Sequence, residues 1–180
     1  GQDLVSINAL GVRFDAPILR DILQKAMDDV KESELAPLRS AWLGQQAAPT
    51  VAEAQISLTP AERAWLAEHP VIRMGVDPEG VTYDFVDERG QHQGFTADVL
   101  ALILPRVGVN VQLVPNLSWG EVIAGVRNRS VDLASLCSRT AEREEFMVFT
   151  DPLTSIYRVA VTRQGDPPIT SLNDIGDGRL

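Results

Sequence analysis

The sequence holds one cysteine, Cys137, and two histidines, His69 and His92, in 180 residues. A single thiol cannot close an internal disulfide, and it is compatible with a reducing or an oxidising compartment. His69 precedes Pro70, where a helix is expected to stop, and His92 falls in a predicted hairpin. Two isolated histidines make neither a metal site nor a cofactor site an expectation here. Long apolar runs are missing as well. The longest, Val99–Leu104, falls far short of the ~20 residues that a membrane-spanning helix needs. The first residues carry neither a basic nor a long apolar region, so a targeting signal is expected outside this segment. Positive charge is scarce: 16 Lys and Arg stand against 25 Asp and Glu, a net charge of −9. That balance argues against a nucleic-acid surface and disfavours an anionic membrane surface. Catalytic signatures are absent too. There is no Gly-rich phosphate loop ahead of a helix, no G-x-S-x-G elbow and no His-Glu-x-x-His. No acidic pair shows a reason for separated pKa values, and no catalytic residue is assigned.

What remains is an ordinary globular composition, 44% hydrophobic and 23% charged, with length for one domain or parts of two. Residues 4–13 are apolar and β-branched enough for strand structure. Asp15 is placed to cap a helix with Pro17 in its first turn. In that helix Ile18, Leu19, Ile22, Leu23, Ala26, Met27 and Val30 recur at helical spacing. A second helix is expected from Ser33, with Leu35, Leu38, Trp42 and Leu43 inward and Gly44 as its stop. Residues 45–57 have linker composition.

At Leu58 the register changes. Thr59-Pro60-Ala61-Glu62 forms a capping box with proline at the first helical position. Strand 71–76, a hairpin over 83–95, a helix from Thr96 toward Pro105 and strand 109–114 follow. Ser118-Trp119-Gly120-Glu121 is a second capping box. Strand 131–136, a helical turn at 140–145, strands 146–149 and 156–161, and a helix start at 170–175 complete the pattern. Strands separated by helices predict an open, mostly parallel α/β sheet.

Ligands of such sheets bind beyond the carboxyl ends of the strands. Two segments lie there, 77–83 and 135–143. In the second, Ser135, Ser138 and Thr140 supply hydroxyls, the turn at Thr140 presents free backbone N–H groups, and Arg143 adds a fork for a carboxylate. Bland alternatives stand beside this. Thr140 as a mere cap, Arg143 paired with Asp151 or Glu144, and Trp119 as core packing explain the same residues. Cys137 reads as a small buried hydrophobe.

The motifs of residues 68–165 resemble the bacterial extracellular solute-binding proteins, family 3, with a periplasmic Venus-flytrap fold. They occur in order as EHPVIRMGVD, YDFVDERGQHQGFTADVL, SWGEVIAGVRNRSVDLASL, SRTAEREEFMVFTDPL and IYRVAVTR, and ITSLNDIGDGRL resembles the start of the second lobe. The resemblance implies the type II fold of a first lobe. It implies that Arg143 holds a ligand carboxylate, that Ser138 and Thr140 offer hydroxyls beside Ser135, and that Leu136 contributes a backbone contact. It further implies that Trp119 stacks on the ligand, that Asp77 is a strand-end acid lining the pocket, and that Tyr83 is the aromatic of the first loop. The chain departs from the pattern at Thr82, where the family usually has proline, and at Leu136 and Cys137, which make the floor more apolar. An amino acid and a small carboxylate without an amine both fit as ligand.

Residues 1–44 resemble the end of another copy of the same fold, with the return strand and terminal helices closing on Trp42-Leu43-Gly44. This order resembles the tandem flytrap domains of unorthodox hybrid sensor histidine kinases. The implied division is 1–44 as the end of a preceding domain, 45–57 as linker, 58–165 as a first lobe and 166–180 as the start of the second. The implied function is ligand sensing in the periplasmic portion of an inner-membrane receptor that is open to homodimerisation. This segment itself is not an enzyme. A free transport-associated binding protein, and a related enzyme such as a lytic transglycosylase or a cyclohexadienyl dehydratase, are the alternatives. Few core contacts are expected between 1–44 and 58–165.

Overall fold

The computed structural model describes residues 5–44, 56–80, 82–157 and Gly165. Most of the expected linker, the strand beyond Tyr157, the helix at 170–175 and the start of the second lobe lie outside the described residues. Among the described residues eight strands and six helices are formed, in the order β1 (Val5–Arg13), α1 (Pro17–Asp29), α2 (Glu32–Leu43), α3 (Pro60–Glu68), β2 (Ile72–Gly75), β3 (Phe85–Val86), β4 (His92–Gln93), α4 (Phe95–Val107), β5 (Val111–Leu113), α5 (Trp119–Asn128), β6 (Leu133–Ser138), α6 (Ala141–Glu144), β7 (Met147–Phe149) and β8 (Thr154–Tyr157).

Local signals set the helix ends where they are self-contained. Thr59 accepts from the Glu62 amide while the Glu62 carboxylate takes the Thr59 amide. Ser118 and Glu121 make the same reciprocal pair at α5. Gly44 closes α2 in the left-handed region at φ 67°, where a residue with no Cβ carries no penalty. Two expected caps differ. Ala16, not Asp15, is the N-cap of α1, because the Asp15 carboxylate is taken by Arg13 at 2.9 Å and Arg129 at 3.2 Å. Lys31, not Ser33, precedes α2, and the Glu34 carboxylate receives the Lys31 amide at 3.1 Å.

The sheet runs β5-β2-β6-β1-β7, with β8 also on β1. β2 pairs in parallel with β5 and β6, as alternating strands and helices require. β1 is antiparallel to β6, β7 and β8, so every other strand of the sheet points one way and β1 alone opposes them. β3 and β4 form a separate small hairpin. Its end is tied to α4, since the Phe95 and Thr96 amides donate to the Thr82 and Tyr83 carbonyls.

This arrangement overturns the expectation of few shared core contacts between 1–44 and 58–165. Leu10 and Val12 of β1 and Leu19, Ile22, Leu23 and Ala26 of α1 are buried in one cluster with Ile72, Met74, Val99, Ile103 and Leu133, and Met27 packs against it. Ala9, on the opposite face of β1, joins Val122, Val126, Val131, Ala134, Cys137, Met147 and Phe149. A periodic face shows that a helix must bury something, but not what it buries. At Gly11 the face is so close that an added Cβ would lie 2.5 Å from Met147 Cε. Polar contacts join the same segments. Lys25 of α1 meets Glu62 of α3 at 2.7 Å, and the Trp42 indole donates to Asp98 of α4 at 2.5 Å.

The amino ends of β2 and β6 and the carboxyl end of β1 meet at one clasp. The Asp132 carboxylate accepts from the Arg73 amide at 2.9 Å and from its guanidinium at 2.8 and 2.9 Å, and Arg13 lies at 2.9 Å. Burial raises the Asp132 pKa, but the Arg73 hydrogen bonds and the charges of Arg73 and Arg13 outweigh it, so the group sits below its ordinary value.

Two outcomes are expected. Leu23→Ala should cost about 2–5 kcal/mol and lower one common urea transition, read separately by Trp42 and Trp119 fluorescence in single-tryptophan variants. Two independent transitions would contradict the shared core. Asp132→Asn should cost about 1–3 kcal/mol at neutral pH, a moderate figure because Arg73 is partly exposed. Since the folded pKa of Asp132 is lowered, its contribution is present above the unfolded value near 4 and is lost as pH falls through the folded one. The stability difference between the two proteins should therefore shrink on acidification.

Candidate functional site

The antiparallel setting of β1 brings its amino-terminal half to the carboxyl ends of β2 and β6. A cleft of about 670 Å³ opens there, lined by Ser6, Asn8, Asp77, Glu79, Gly80, Tyr83, Asp84, Trp119, Leu136, Ser138, Thr140, Arg143 and Ile156. Seven of the eight residues singled out in the sequence, Asp77, Tyr83, Trp119, Leu136, Ser138, Thr140 and Arg143, line this one space.

Arg143 is held in two ways. Its Nη1 donates to the Ser138 carbonyl at 2.8 Å, and its guanidinium carbon lies 5.4 Å from the centre of the Trp119 ring. Of the alternative partners for Arg143, Glu144 pairs with Arg139 at 2.5 Å and Asp151 bonds to Gln24. Trp119 is half-buried at the first position of α5 and faces the cleft, so packing and access coexist in it.

The hydroxyls are partly committed. Thr140 is the N-cap of α6 and accepts the Arg143 amide at 3.3 Å, and Ser138 donates to Asn8 Oδ1 at 2.8 Å. Asp77 accepts the Glu79 amide at 3.0 Å, which shapes the turn at the rim. Ser135 is the exception. It is fully buried below the cleft, where its Oγ lies 2.6 Å from Asp84 Oδ2 and 3.2 Å from the Gly75 carbonyl. Its side chain thus faces inward to Asp84 and does not line the cleft.

Six cleft residues were not singled out in the sequence: Glu79 and Gly80, within the expected segment 77–83, and Ser6, Asn8, Asp84 and Ile156. Asn8 and Ser138 lie 130 positions apart, and only the β1–β6 register, Asn8 opposite Ser138, joins them. Asp84 carries a signal that was available, an acid inside an otherwise apolar hairpin segment, Tyr83-Asp84-Phe85-Val86. It is almost fully buried, and its Oδ1 lies 2.6 Å from His92 Nε2. Burial raises its pKa above the ordinary carboxylate range, and the nearby Asp77 charge adds to this. The hydrogen bonds from His92 and Ser135 work in the opposite direction.

The described residues contain no group of three or more His, Cys, Asp and Glu placed to hold a metal ion. No helix among them is long and apolar enough to cross a membrane. Cys137 lies under the floor, and burial pushes its thiol up to about 11, against the smaller opposing effect of Arg143. The thiolate is the reactive form. Native protein at pH 8 should therefore resist iodoacetamide at Cys137, and unfolded protein should be modified readily, as mass spectrometry would read. Fast native labelling would show that this floor opens.

Comparison with known proteins bears on the family. The family model of the bacterial extracellular solute-binding proteins, family 3, matches residues 72–174, more than half of the chain. The virulence sensor protein BvgS of Bordetella bronchiseptica is 29% identical over 171 residues, which cover 95% of this chain and 14% of that protein. The membrane-bound lytic murein transglycosylase F of Idiomarina loihiensis is 29% identical over 115 residues, 63% of this chain and 25% of that protein. The sensor protein EvgS of Escherichia coli K12 is 24% identical over 98 residues, 54% of this chain and 8% of that protein. The chain thus spans a small part of these relatives. Among solved structures, a point mutant of the arginine-bound form of domain 1 from TmArgBP is 25% identical, with a TM-score of 0.44, and covers 51% of this chain and 70% of that one. The chain belongs to the bacterial extracellular solute-binding proteins, family 3.

Proposed function

We propose that residues 58–165 form the ligand-gripping first lobe of a sensory solute-binding domain in the periplasmic portion of a membrane receptor, and that Arg143 anchors the carboxylate of a small acid or amino acid. One observation carries the reading. A guanidinium steadied by a main-chain carbonyl and a tryptophan face lies in a cleft at the carboxyl ends of parallel strands. The remaining donors of its fork suit a planar anion. The likeness to BvgS runs through 171 residues in one stretch, residues ahead of the family match included. That supports a sensor kinase as the parent protein. We read 1–44 as the end of a preceding domain, 45–57 as linker and 166–180 as the opening of the second lobe; in this structure β1 and α1 of the first segment complete the sheet and core of the lobe.

In this reading the segment binds and does not catalyse. Ligand shifts an equilibrium between open and closed lobes by as much as its affinities for the two states differ. A second reading, the regulatory part of an enzyme of the cell wall, draws on the likeness to the lytic transglycosylase.

The test is calorimetric titration of the complete two-lobed domain with a panel of small carboxylates and amino acids. Arg143→Ala should weaken binding roughly ten- to a hundredfold, the worth of a charge-assisted contact. Arg143→Lys should fall between, since it keeps the charge and loses the fork. Equal affinity of wild type and Arg143→Ala for the ligand found would overturn the anchor.

A further inference from the structure

Beneath the cleft lies a polar cluster that the ligand reading leaves unused. Asp84 Oδ1 meets His92 Nε2 at 2.6 Å, Asp84 Oδ2 meets Ser135 Oγ at 2.6 Å, and Ser135 Oγ reaches the Gly75 carbonyl at 3.2 Å. This is not a nucleophile triad. The serine contacts the acid instead of the imidazole, and it is sealed from solvent.

Counting hydrogens shows what the cluster can do. Ser135 has one hydroxyl hydrogen and two acceptors within reach. If the Asp84 carboxyl carries a proton, it donates to Ser135 Oγ, Ser135 donates to Gly75, and His92 donates to the other carboxyl oxygen. Every group is then satisfied and the cluster is neutral. Once the proton leaves altogether, Ser135 turns to the carboxylate, Gly75 is released, and one negative charge remains at the floor of the cleft. A buried charge of this kind acts strongly on its surroundings, because little water screens it.

We infer that Asp84 sets the charge preference of the cleft through the proton on its own carboxyl, which His92 and Ser135 hold in place. With the proton present, the floor is neutral and a carboxylate at Arg143 is favoured. Without it, the floor repels the anion and favours a ligand with an added cationic group. This rests on reading the cleft as the ligand site. Burial acts in the same direction, holding the Asp84 carboxyl above its ordinary range. The other titratable or charged groups facing the cluster are Asp77 and Glu79 from the loop after β2, Tyr83 from the hairpin and Arg143 from α6. β1 and α5 present only the uncharged Ser6, Asn8 and Trp119.

The cleft potential is measurable without any ligand. Ser6 lines the cleft on β1, and its hydroxyl makes no hydrogen bond among the described residues. In Ser6→Cys protein, the ratio of alkylation rates with iodoacetate and iodoacetamide reports the local potential, because thiolate fraction and nucleophilicity cancel. Buried Cys137, which should stay unmodified, is followed as the check that the protein remains folded. Over the pH range in which the protein stays folded, the ratio should fall by about two- to tenfold as pH rises, the order that Coulomb's law gives for one added charge about 10 Å away in water or near a protein surface. Adding Asp84→Asn should leave the ratio high and flat, and adding His92→Gln should move the midpoint of the fall. A flat ratio without these substitutions, or a fall that survives Asp84→Asn, would overturn the inference. A midpoint unmoved by His92→Gln would overturn the part of the His92 hydrogen bond in holding the Asp84 carboxyl. The carboxylate anchor is judged separately by the Arg143 titrations, so failure of one does not imply failure of the other.

Discussion

The structure depends on one strand running against all the others. β1 occupies the slot between β6 on one side and β7 and β8 on the other, in antiparallel register with each. Without it the sheet has no continuity from β6 to β8. Its reversed direction has two results at its two ends. The carboxyl-terminal end delivers Arg13 to the Asp132 clasp, and the amino-terminal half delivers Ser6 and Asn8 to the cleft. Between them, alternate residues feed the cores above and below the sheet. The local bulge between Ala9 and Gly11 accommodates this double duty, as bulges next to sites commonly do.

Legibility followed the range of the interactions. The boxes at Thr59 and Ser118 close over three residues, so their chemistry is complete in the sequence. The placement of Trp119, Ser138 and Arg143 at strand ends followed from alternating strands and helices, a rule of topology. Asp15 was misread because a cap competes with ion pairs, and its partners Arg13 and Arg129 meet it only in the folded clasp. Ser135 was misread for a related reason. Strand position gives the end of the sheet, whereas the face is set by register, and here the hydroxyl turns to Asp84, 51 positions away. The relation of 5–43 to the rest was hidden for the same cause, since an amphipathic helix does not name the surface that it covers.

The cleft is mixed in character in a way its outline does not suggest. Leu136 and Ile156 give it apolar wall, as the composition of its floor implied, yet three carboxyl groups, Asp77, Glu79 and Asp84, line it with one guanidinium. These acids are not equivalent. Asp77 is engaged by a turn amide at the rim, and Asp84 is enclosed by two side-chain hydrogen bonds beneath. Arg143 therefore presents its charge beside Asp77 and Glu79, with Asp84 enclosed below.

The double restraint on Arg143 has a consequence for recognition. An unrestrained arginine loses on the order of 2 kcal/mol of rotamer freedom when it is fixed against a partner. Here the Ser138 carbonyl fixes one edge of the guanidinium and the Trp119 ring covers one face. Both contacts are made within the described residues of this chain. The side chain has thus surrendered much of its disorder during folding, and an incoming group meets a receptor whose geometry is already set. Under the proposed carboxylate role, what is left for the encounter is mainly the exchange of water for the planar group that matches the open edge, so shape and orientation would weigh in selectivity beside charge.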